Sequence, residues 1–345
     1  MSQNAVRPTP ASPTPPGGHL LEVRDLHVEF RTSEGVARVI NGVSYHLDPG
    51  ETLAVLGESG SGKSVTAQAV MGILDTPPAH ISSGAILYSG RDLLTEPEAQ
   101  RRQVRGKEIA MIFQDALSAL NPVFPVGWQI GETLRQRLGM SRADARRRSV
   151  ELMDLVQIPA AAKRLGDYPH QFSGGMRQRV MIAMALAMEP KVLIADEPTT
   201  ALDVTVQAQI MDLLAELRRN LDTAMILITH DLGVVADVAD RIAVMYAGRI
   251  VEHADVRSLY RAPAHPYTKG LLNSIPRLDQ RGGKLSTIRG LPPNLMRVPS
   301  GCPFHPRCPY AQQVCVDVVP HDLVLADGRT SACHFAQEVR DDRAS

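Results

Sequence analysis

Eight consecutive residues, Gly57-Glu58-Ser59-Gly60-Ser61-Gly62-Lys63-Ser64, constrain this chain more than any others. Glycines at this spacing, closed by Lys-Ser, match the phosphate-binding loop. Such a loop turns tightly enough for successive amide N–H groups to converge on an anion, and the helix that follows aims its positive end at the same point. Gly57, Ser59, Gly60 and Gly62 are therefore read as nucleotide-binding, Lys63 as a charge for the β- and γ-phosphates, and the Ser64 hydroxyl as a ligand for Mg²⁺. The surroundings agree: a buried apolar run, Leu53 to Leu56, precedes the loop, and a helix is expected from Lys63 to about Leu74, ending before Pro77 and Pro78. Only 6 of the 37 basic residues are lysine, so a lysine at this position is not incidental.

A second signal lies further along. Val192 to Ala195 reads as a buried strand that ends in Asp196-Glu197. A carboxylate at a strand end can hold the Mg²⁺ shell, which is the role expected of Asp196. Glu197, one residue beyond the metal, can polarise an attacking water as general base. Together these motifs predict ATP hydrolysis with Mg²⁺.

Hydrophobic periodicity sets the architecture. Leu21, Val23, Leu26, Val28 and Phe30 alternate as in a strand pair, and Val39 to Leu47 continues as another strand before the turn at Asp48-Pro49-Gly50. Ile109 to Phe113, Met225 to Ile228 and Ile242 to Met245 are short, branched and apolar, as strands are. Residues 128 to 158, a segment from about Met176, and Val204 to Arg219 read as helices. Ser141 followed by Asp144 forms a capping box, and Leu152, Leu155 and Val156 supply an apolar stripe. Strand–helix–strand units of this kind predict the α/β class, a phosphate-loop NTPase with a mainly parallel sheet core. An N-terminal antiparallel β-subdomain, an inserted helical subdomain at about 97–185 and a Cys-rich C-terminal extension complete the expectation. Residues 1–18 carry Pro8, Pro10, Pro13, Pro15 and Pro16 and are expected to form a disordered arm, since so few apolar side chains cannot offset the entropy of ordering. The nucleotide-binding domain is drawn at 19–262. Beyond it periodicity fades, and 263–345 is expected to pack as an appendage holding all four cysteines.

Charge and hydropathy remove some function classes. The 37 basic residues cancel the 37 acidic ones, which takes away the general electrostatic case for a nucleic-acid partner. The longest apolar run, Val180 to Met188, is too short to cross a bilayer as a helix, and the opening lacks the basic flank and apolar core of a signal peptide. A cytoplasmic chain is expected, able to reach a membrane through partners.

The motifs resemble those of the ATP-binding subunits of ATP-binding-cassette transporters, over roughly residues 20 to 260. Ser173-Gly174-Gly175, followed by Met176-Arg177-Gln178-Arg179, is similar to the signature motif. Gln114 matches the glutamine that ligates the metal and senses the membrane subunits, Ala201-Leu202-Asp203 the loop that crosses the dimer interface, and His230 the switch histidine. Phe30 aligns with the aromatic that stacks on adenine, where many members have Tyr; stacking needs only the ring face. The resemblance implies Gln114, Glu197 and His230 as catalytic residues, with Ser64, Gln114 and Asp196 around Mg²⁺. It implies Phe30, Ser173, Gly174, Gly175 and Asp203 as contacts of ATP held between two cassettes arranged head to tail. The serine and glycines at a helix start suit a second phosphate-facing nest.

Cys302, Cys308, Cys315 and Cys333 stand in a C-x5-C-x6-C-x17-C pattern within 32 residues, and the chain has no other cysteine. These spacings are not the tight pairs of ordinary zinc modules, and a reducing compartment argues against disulfides. Joint use as ligands follows, with an iron–sulfur cluster, Zn²⁺ or metal-free thiols all open. The His265-Pro266-Tyr267-Thr268-Lys269 run, the Gly301-to-Pro309 stretch and the later cysteines are similar to the C-terminal extension of the dipeptide, oligopeptide and nickel import ATPases, over 265 to 334. That resemblance implies a [4Fe-4S] cluster, with Zn²⁺ as the alternative, and His305, His321 and His334 near it without being ligands. It further implies two transmembrane permease subunits, a second related ATPase, with a heterodimer preferred and a homodimer left open, an extracytoplasmic substrate-binding protein, and a place at the cytoplasmic face of the membrane. The function expected is the ATP-hydrolysing subunit of an importer for dipeptides or oligopeptides. Nickel or another small solute, or a soluble non-transport cassette ATPase, are the alternatives.

Overall fold

A computed structural model of the chain describes residues 18–200, 202–274 and 288–342. The expected disordered arm lies outside these residues except for Gly18, and Ala201 of the interface loop lies outside them too. The N-terminal half runs β1 (Leu21–Thr32), β2 (Gly35–Leu47), β3 (Thr52–Leu56), α1 (Lys63–Met71), β4 (Ala79–Tyr88), β5 (Arg91–Asp92), α2 (Glu98–Val104) and β6 (Ile109–Ile112). Helices α3 (Ala116–Ala119), α4 (Val126–Leu138), α5 (Arg142–Leu155), α6 (Ala161–Arg164) and α7 (Gly174–Leu186) follow. Then come β7 (Val192–Asp196), α8 (Val204–Leu221), β8 (Ala224–Thr229), α9 (Leu232–Val238), β9 (Arg241–Tyr246) and β10 (Arg249–Asp255). The last segment holds α10 (Val256–Arg261), α11 (Pro266–Asn273), α12 (Gln313–Asp317), β11 (Leu323–Val324), β12 (Thr330–Ser331) and α13 (Ala336–Asp341).

Two sheets carry the fold. The smaller, in the order β2-β1-β4-β5, is antiparallel, and its inward alternation of Leu21, Val23, Leu26 and Val28 is buried as the periodicity requires. The larger has the order β11-β12-β10-β9-β3-β8-β7-β6. Its strands β9, β3, β8, β7 and β6 are parallel, while β10, β12 and β11 continue it antiparallel. Strands β3, β7 and β8 are buried along their whole length, as expected of strands covered on both faces. Their C-terminal ends open toward one edge, where the loops to α1, to α8 and to α9 converge.

Three differences from expectation have identifiable causes. The stretch 97–185 is not wholly an insertion: β6 pairs with β7 inside the main sheet, and the buried side chains of α7 share one core with sheet strands and with α4 and α5. The sequence reading placed no strand at Ala79–Tyr88, whose Ser82-Ser83-Gly84 centre resembles a turn; pairing with β1 across a register shift overrides that preference. The C-terminal segment is not an appendage. Strand β12 pairs with β10, and Tyr267 and Phe304 are fully buried in the core that spans the sheet and the helices. A segment without periodicity still found buried partners because the partners come from the cassette. Ser141 does cap α5, accepting from the Asp144 N–H at 3.1 Å.

Candidate functional site

The phosphate loop leaves β3 at Leu56 and enters α1 at Lys63. Only glycine fits two of its positions. At Gly57 a Cβ would stand 2.3 Å from the Met245 carbonyl oxygen; at Gly62, with φ +106°, it would stand 2.6 Å from Ile40 Cδ1. Gly62 precedes α1 with no side-chain cap, which leaves the first helical amides free for an anion. Lys63 is buried, and its Nζ donates to the carbonyls of Gly57 at 2.8 Å and Glu58 at 3.0 Å. Burial lowers its pKa from the ordinary lysine value. A phosphate offers this ammonium a better partner than two neutral carbonyls.

The acidic pair closes the other side. The Ser64 hydroxyl donates to Asp196 Oδ1 at 3.0 Å, and burial raises the Asp196 pKa above the usual carboxylate range. A buried carboxylate next to a hydroxyl is a donor set that a hard cation completes, so Ser64 and Asp196 fit Mg²⁺. Glu197 takes a left-handed backbone, φ +44°, held by its N–H on the Ile228 carbonyl at 2.8 Å. A non-glycine residue at positive φ is a strain that surroundings must hold. Here it turns the side chain to Gln114, whose Nε2 donates to Oε2 at 2.9 Å, and to Thr200, whose hydroxyl donates to the same oxygen at 2.8 Å. His230 Nδ1 stands 3.6 Å from Oε1 with its side chain 66% exposed. These residues share one open cavity of about 560 Å³ lined by Glu58, Ser59, Gly60, Gly62, Lys63, Ser64, Gln114, Glu197 and His230.

Val39 and Leu295 also line this cavity, and sequence reasoning singled out neither. Leu295 comes from the C-terminal segment, from a stretch whose pattern carries no signal. Other expected contacts lie elsewhere. Phe30, on β1, is half-buried with Ala37 and Ala79 as strand partners and does not line the cavity. Ser173 caps α7, accepting from the Met176 N–H at 3.3 Å, and a Cβ on Gly175 would meet Val206 at 2.6 Å. Asp203 caps α8, accepting from the Val206 N–H at 3.0 Å. The signature residues and Asp203 thus neighbour each other at the starts of α7 and α8, apart from this chain's own phosphate loop.

The four cysteines come together as a second centre. Burial raises the thiol pKa of Cys302, pushes Cys308 up to about 11 and Cys333 up to about 12, with the other thiols adding to the rise. Backbone N–H groups point at the sulfurs: Phe335 at Cys333 (3.4 Å), Phe304 and His305 at Cys302, Tyr310 at Cys308. Such amides stabilise thiolate ligands of a metal group, so the donor set fits one. His305 Nδ1 contacts the Cys302 carbonyl and His334 Nε2 the Val318 carbonyl, each at 3.0 Å, so both rings have backbone partners. Among the described residues the ligand-type side chains all within 4.8 Å of one another are His19, His46 and Asp48; Arg241 Nη1, 2.9 Å from His46 Nε2, disfavours a cation there.

Between the two centres runs a buried seam. Glu252 of β10, fully buried, accepts from the amides of Ala264 at 2.7 Å and His265 at 3.0 Å. Tyr246, Tyr267 and Phe304 pack with ring centroids 4.6 to 5.4 Å apart. No described helix is long and apolar enough to cross a membrane.

Comparison with known proteins agrees in both halves. Residues 40–200 match the ABC transporter family and residues 251–315 the oligopeptide/dipeptide transporter C-terminal region. The chain is 53% identical to the oligopeptide transport ATP-binding protein OppD of Salmonella typhimurium, over 92% of this chain and 94% of that one. It is 51% identical to the dipeptide transport ATP-binding protein DppD of Bacillus subtilis, over 94% and 97%. A bacterial ABC transporter cassette solved as a dimer superposes with a TM-score of 0.62 at 25% identity, covering 69% of this chain and 99% of that one.

Proposed function

This chain belongs to the ABC transporter family, as an ATPase with the oligopeptide/dipeptide transporter C-terminal region, and we propose that it hydrolyses ATP to drive a binding-protein-dependent importer of dipeptides or oligopeptides. The observation that carries the chemistry is the cavity in which the phosphate loop faces Glu197, Gln114 and His230, with Thr200 donating to the Glu197 carboxylate. The loop amides and Lys63 bind the β- and γ-phosphates. Ser64, Asp196 and Gln114 would hold Mg²⁺, which would supply positive charge against the charge that develops on the phosphates. Glu197 accepts a proton from the attacking water; the water oxygen bonds to the γ-phosphorus as the bond to the bridging oxygen breaks, releasing ADP. His230, beside Oε1, steadies that water and the γ-phosphate, and the half-buried Phe30 ring on β1, outside the cavity, would stack on an adenine that extends beyond it.

The signature nest of Ser173, Gly174 and Gly175, with Asp203 beside it, lies apart from the phosphate loop and serves a second, related ATPase in a head-to-tail heterodimer. Two transmembrane permease subunits and an extracytoplasmic binding protein complete the importer, with this chain on the cytoplasmic face of the membrane. Cys302, Cys308, Cys315 and Cys333 hold a [4Fe-4S] cluster that clamps the C-terminal segment. Iron and acid-labile sulfide in equal amounts after anaerobic purification are expected, and zinc alone would end the cluster assignment.

The whole reading is tested by mass spectrometry of what co-purifies with the tagged chain from detergent-solubilised membranes. Two multi-span permeases and a second cassette are expected. Recovery from the soluble fraction alone, with no membrane partner, would overturn the importer.

A further inference from the structure

Glu58 is a position that the phosphate-loop pattern leaves free, yet it is held at three points. Its carboxylate accepts from both terminal nitrogens of Arg307, at 2.6 Å from Nη1 to Oε2 and 2.9 Å from Nη2 to Oε1. Its N–H donates to the Tyr267 hydroxyl at 2.8 Å, and its carbonyl accepts from Lys63 Nζ at 3.0 Å. Two of these three partners come from the C-terminal segment. Arg307 itself is immobilised: its side chain is 5% exposed, Nε donates to the Arg289 carbonyl at 3.0 Å, and Nη2 also reaches the Gly290 carbonyl at 3.3 Å. It ends a single helical turn, His305–Arg307, capped by Phe304 and Cys308, with Cys302 two residues before Phe304.

Surface ion pairs contribute little, but a bidentate arginine–carboxylate pair at a mostly buried seam is a different object. It fixes both direction and distance, and losing one partner strands the other's charge. Here the stranded charge would be a carboxylate beside the site where a triphosphate must sit. The backbone it holds is that of Glu58, whose neighbours supply the amides aimed at phosphate. A loop held in its binding conformation spends less of its binding energy on ordering.

We infer that Arg307 is a positioning residue of the nucleotide site: anchored between two cysteines, it holds Glu58 and so keeps the phosphate loop in its anion-accepting form. The C-terminal segment thereby acts on nucleotide affinity from outside the cassette. This rests on the loop being the nucleotide site.

The test measures MgATP affinity of the full chain by titration calorimetry, and KM and kcat in the assembled complex. Arg307→Gln is expected to weaken MgATP binding about tenfold and to raise KM more than it lowers kcat. Arg307→Lys, which keeps the charge but not the fork, recovers part of the loss. Glu58→Gln weakens binding in the same direction, and the double variant is no worse than Arg307→Gln alone, because both remove one interaction. Glu58→Gln leaves every C-terminal residue in place, so it decides the matter even if the Arg307 variants fold poorly. Affinities of the two single variants within twofold of the parent protein, or losses that multiply in full in the double variant, would overturn the inference. Lys63→Ala separates the two levels: retained MgATP binding in that variant would instead overturn the phosphate-loop reading.

Discussion

The nucleotide cavity and the seam beneath the C-terminal segment are built from the same residue types and do opposite things with them. In the cavity, Glu197 faces solvent-accessible partners, and His230 is 66% exposed. In the seam, Glu252 is 0% exposed and His265 1%, and their polar atoms are matched by backbone amides of Ala264, His265 and Tyr267. Groups that must exchange partners with substrate, metal and water cannot be saturated by the protein. Groups that clamp two segments must be, because an unmatched buried polar atom costs more than a matched one contributes. A carboxylate's surroundings, not its identity, therefore decide whether replacing it is felt in turnover or in stability.

The sharpest way to break this comparison is to replace one carboxylate from each region. Glu197→Gln is expected to lower ATP turnover of the assembled complex at least about a hundredfold. MgATP binding and the melting temperature stay near those of the parent; turnover at the parental rate would remove Glu197 as the base. Glu252→Ala leaves two buried amides without their acceptor and should destabilise the fold by about 3 kcal/mol, read by urea unfolding. Unchanged unfolding would show that the seam is not a clamp.

A smaller effect sharpens the contrast within the nucleotide machinery. Ser173→Asp keeps an oxygen that can cap α7 while adding a negative charge where a second chain's γ-phosphate would sit. The assembled pair should lose turnover about tenfold or more, while the melting temperature of the single chain is unchanged. Equal turnover would mean that the nest does not face nucleotide.

The smallest effect is a pH dependence of the seam. Burial lowers the pKa of His253 to about 4 and of His265 to about 3. Below pH 6.5 the unfolded chain takes up protons at both rings before the folded chain does, so these two histidines reduce stability as pH falls. Glu252 opposes them: burial raises its pKa to about 7, so the folded chain gains a proton between pH 7 and 4.5 that the unfolded chain does not. Two losses against one gain predict a lower melting temperature at pH 4.5 than at pH 7, measured by calorimetry. A melting temperature that rises on acidification would break the reading of the seam.

The motifs around the cavity are legible in the sequence because their parts are local. Gly57 to Ser64 is one turn between a strand and a helix, and Asp196-Glu197 ends one buried strand; each motif states its own context. The strands from Leu53, Val192, Met225 and Ile242 were readable for the same reason, being apolar throughout. Strand β4 was not, since Ser82, Ser83 and Gly84 have no preference for a strand until β1 pairs with them. Nor was the attachment of the C-terminal segment: Thr330 and Ser331 form a strand by pairing with β10 on one side and β11 on the other.

What the sequence determined alone is the phosphate cradle and its acids, because an anion site made of consecutive amides and a strand-end carboxylate needs only neighbours in the chain. What the tertiary structure decided is which distant surfaces meet. It sets Leu295 against the cavity, separates the signature nest from the loop, and brings Arg307 to a glutamate 249 residues away. A buried charge must find its partner wherever the fold carries it, and no local pattern records that address.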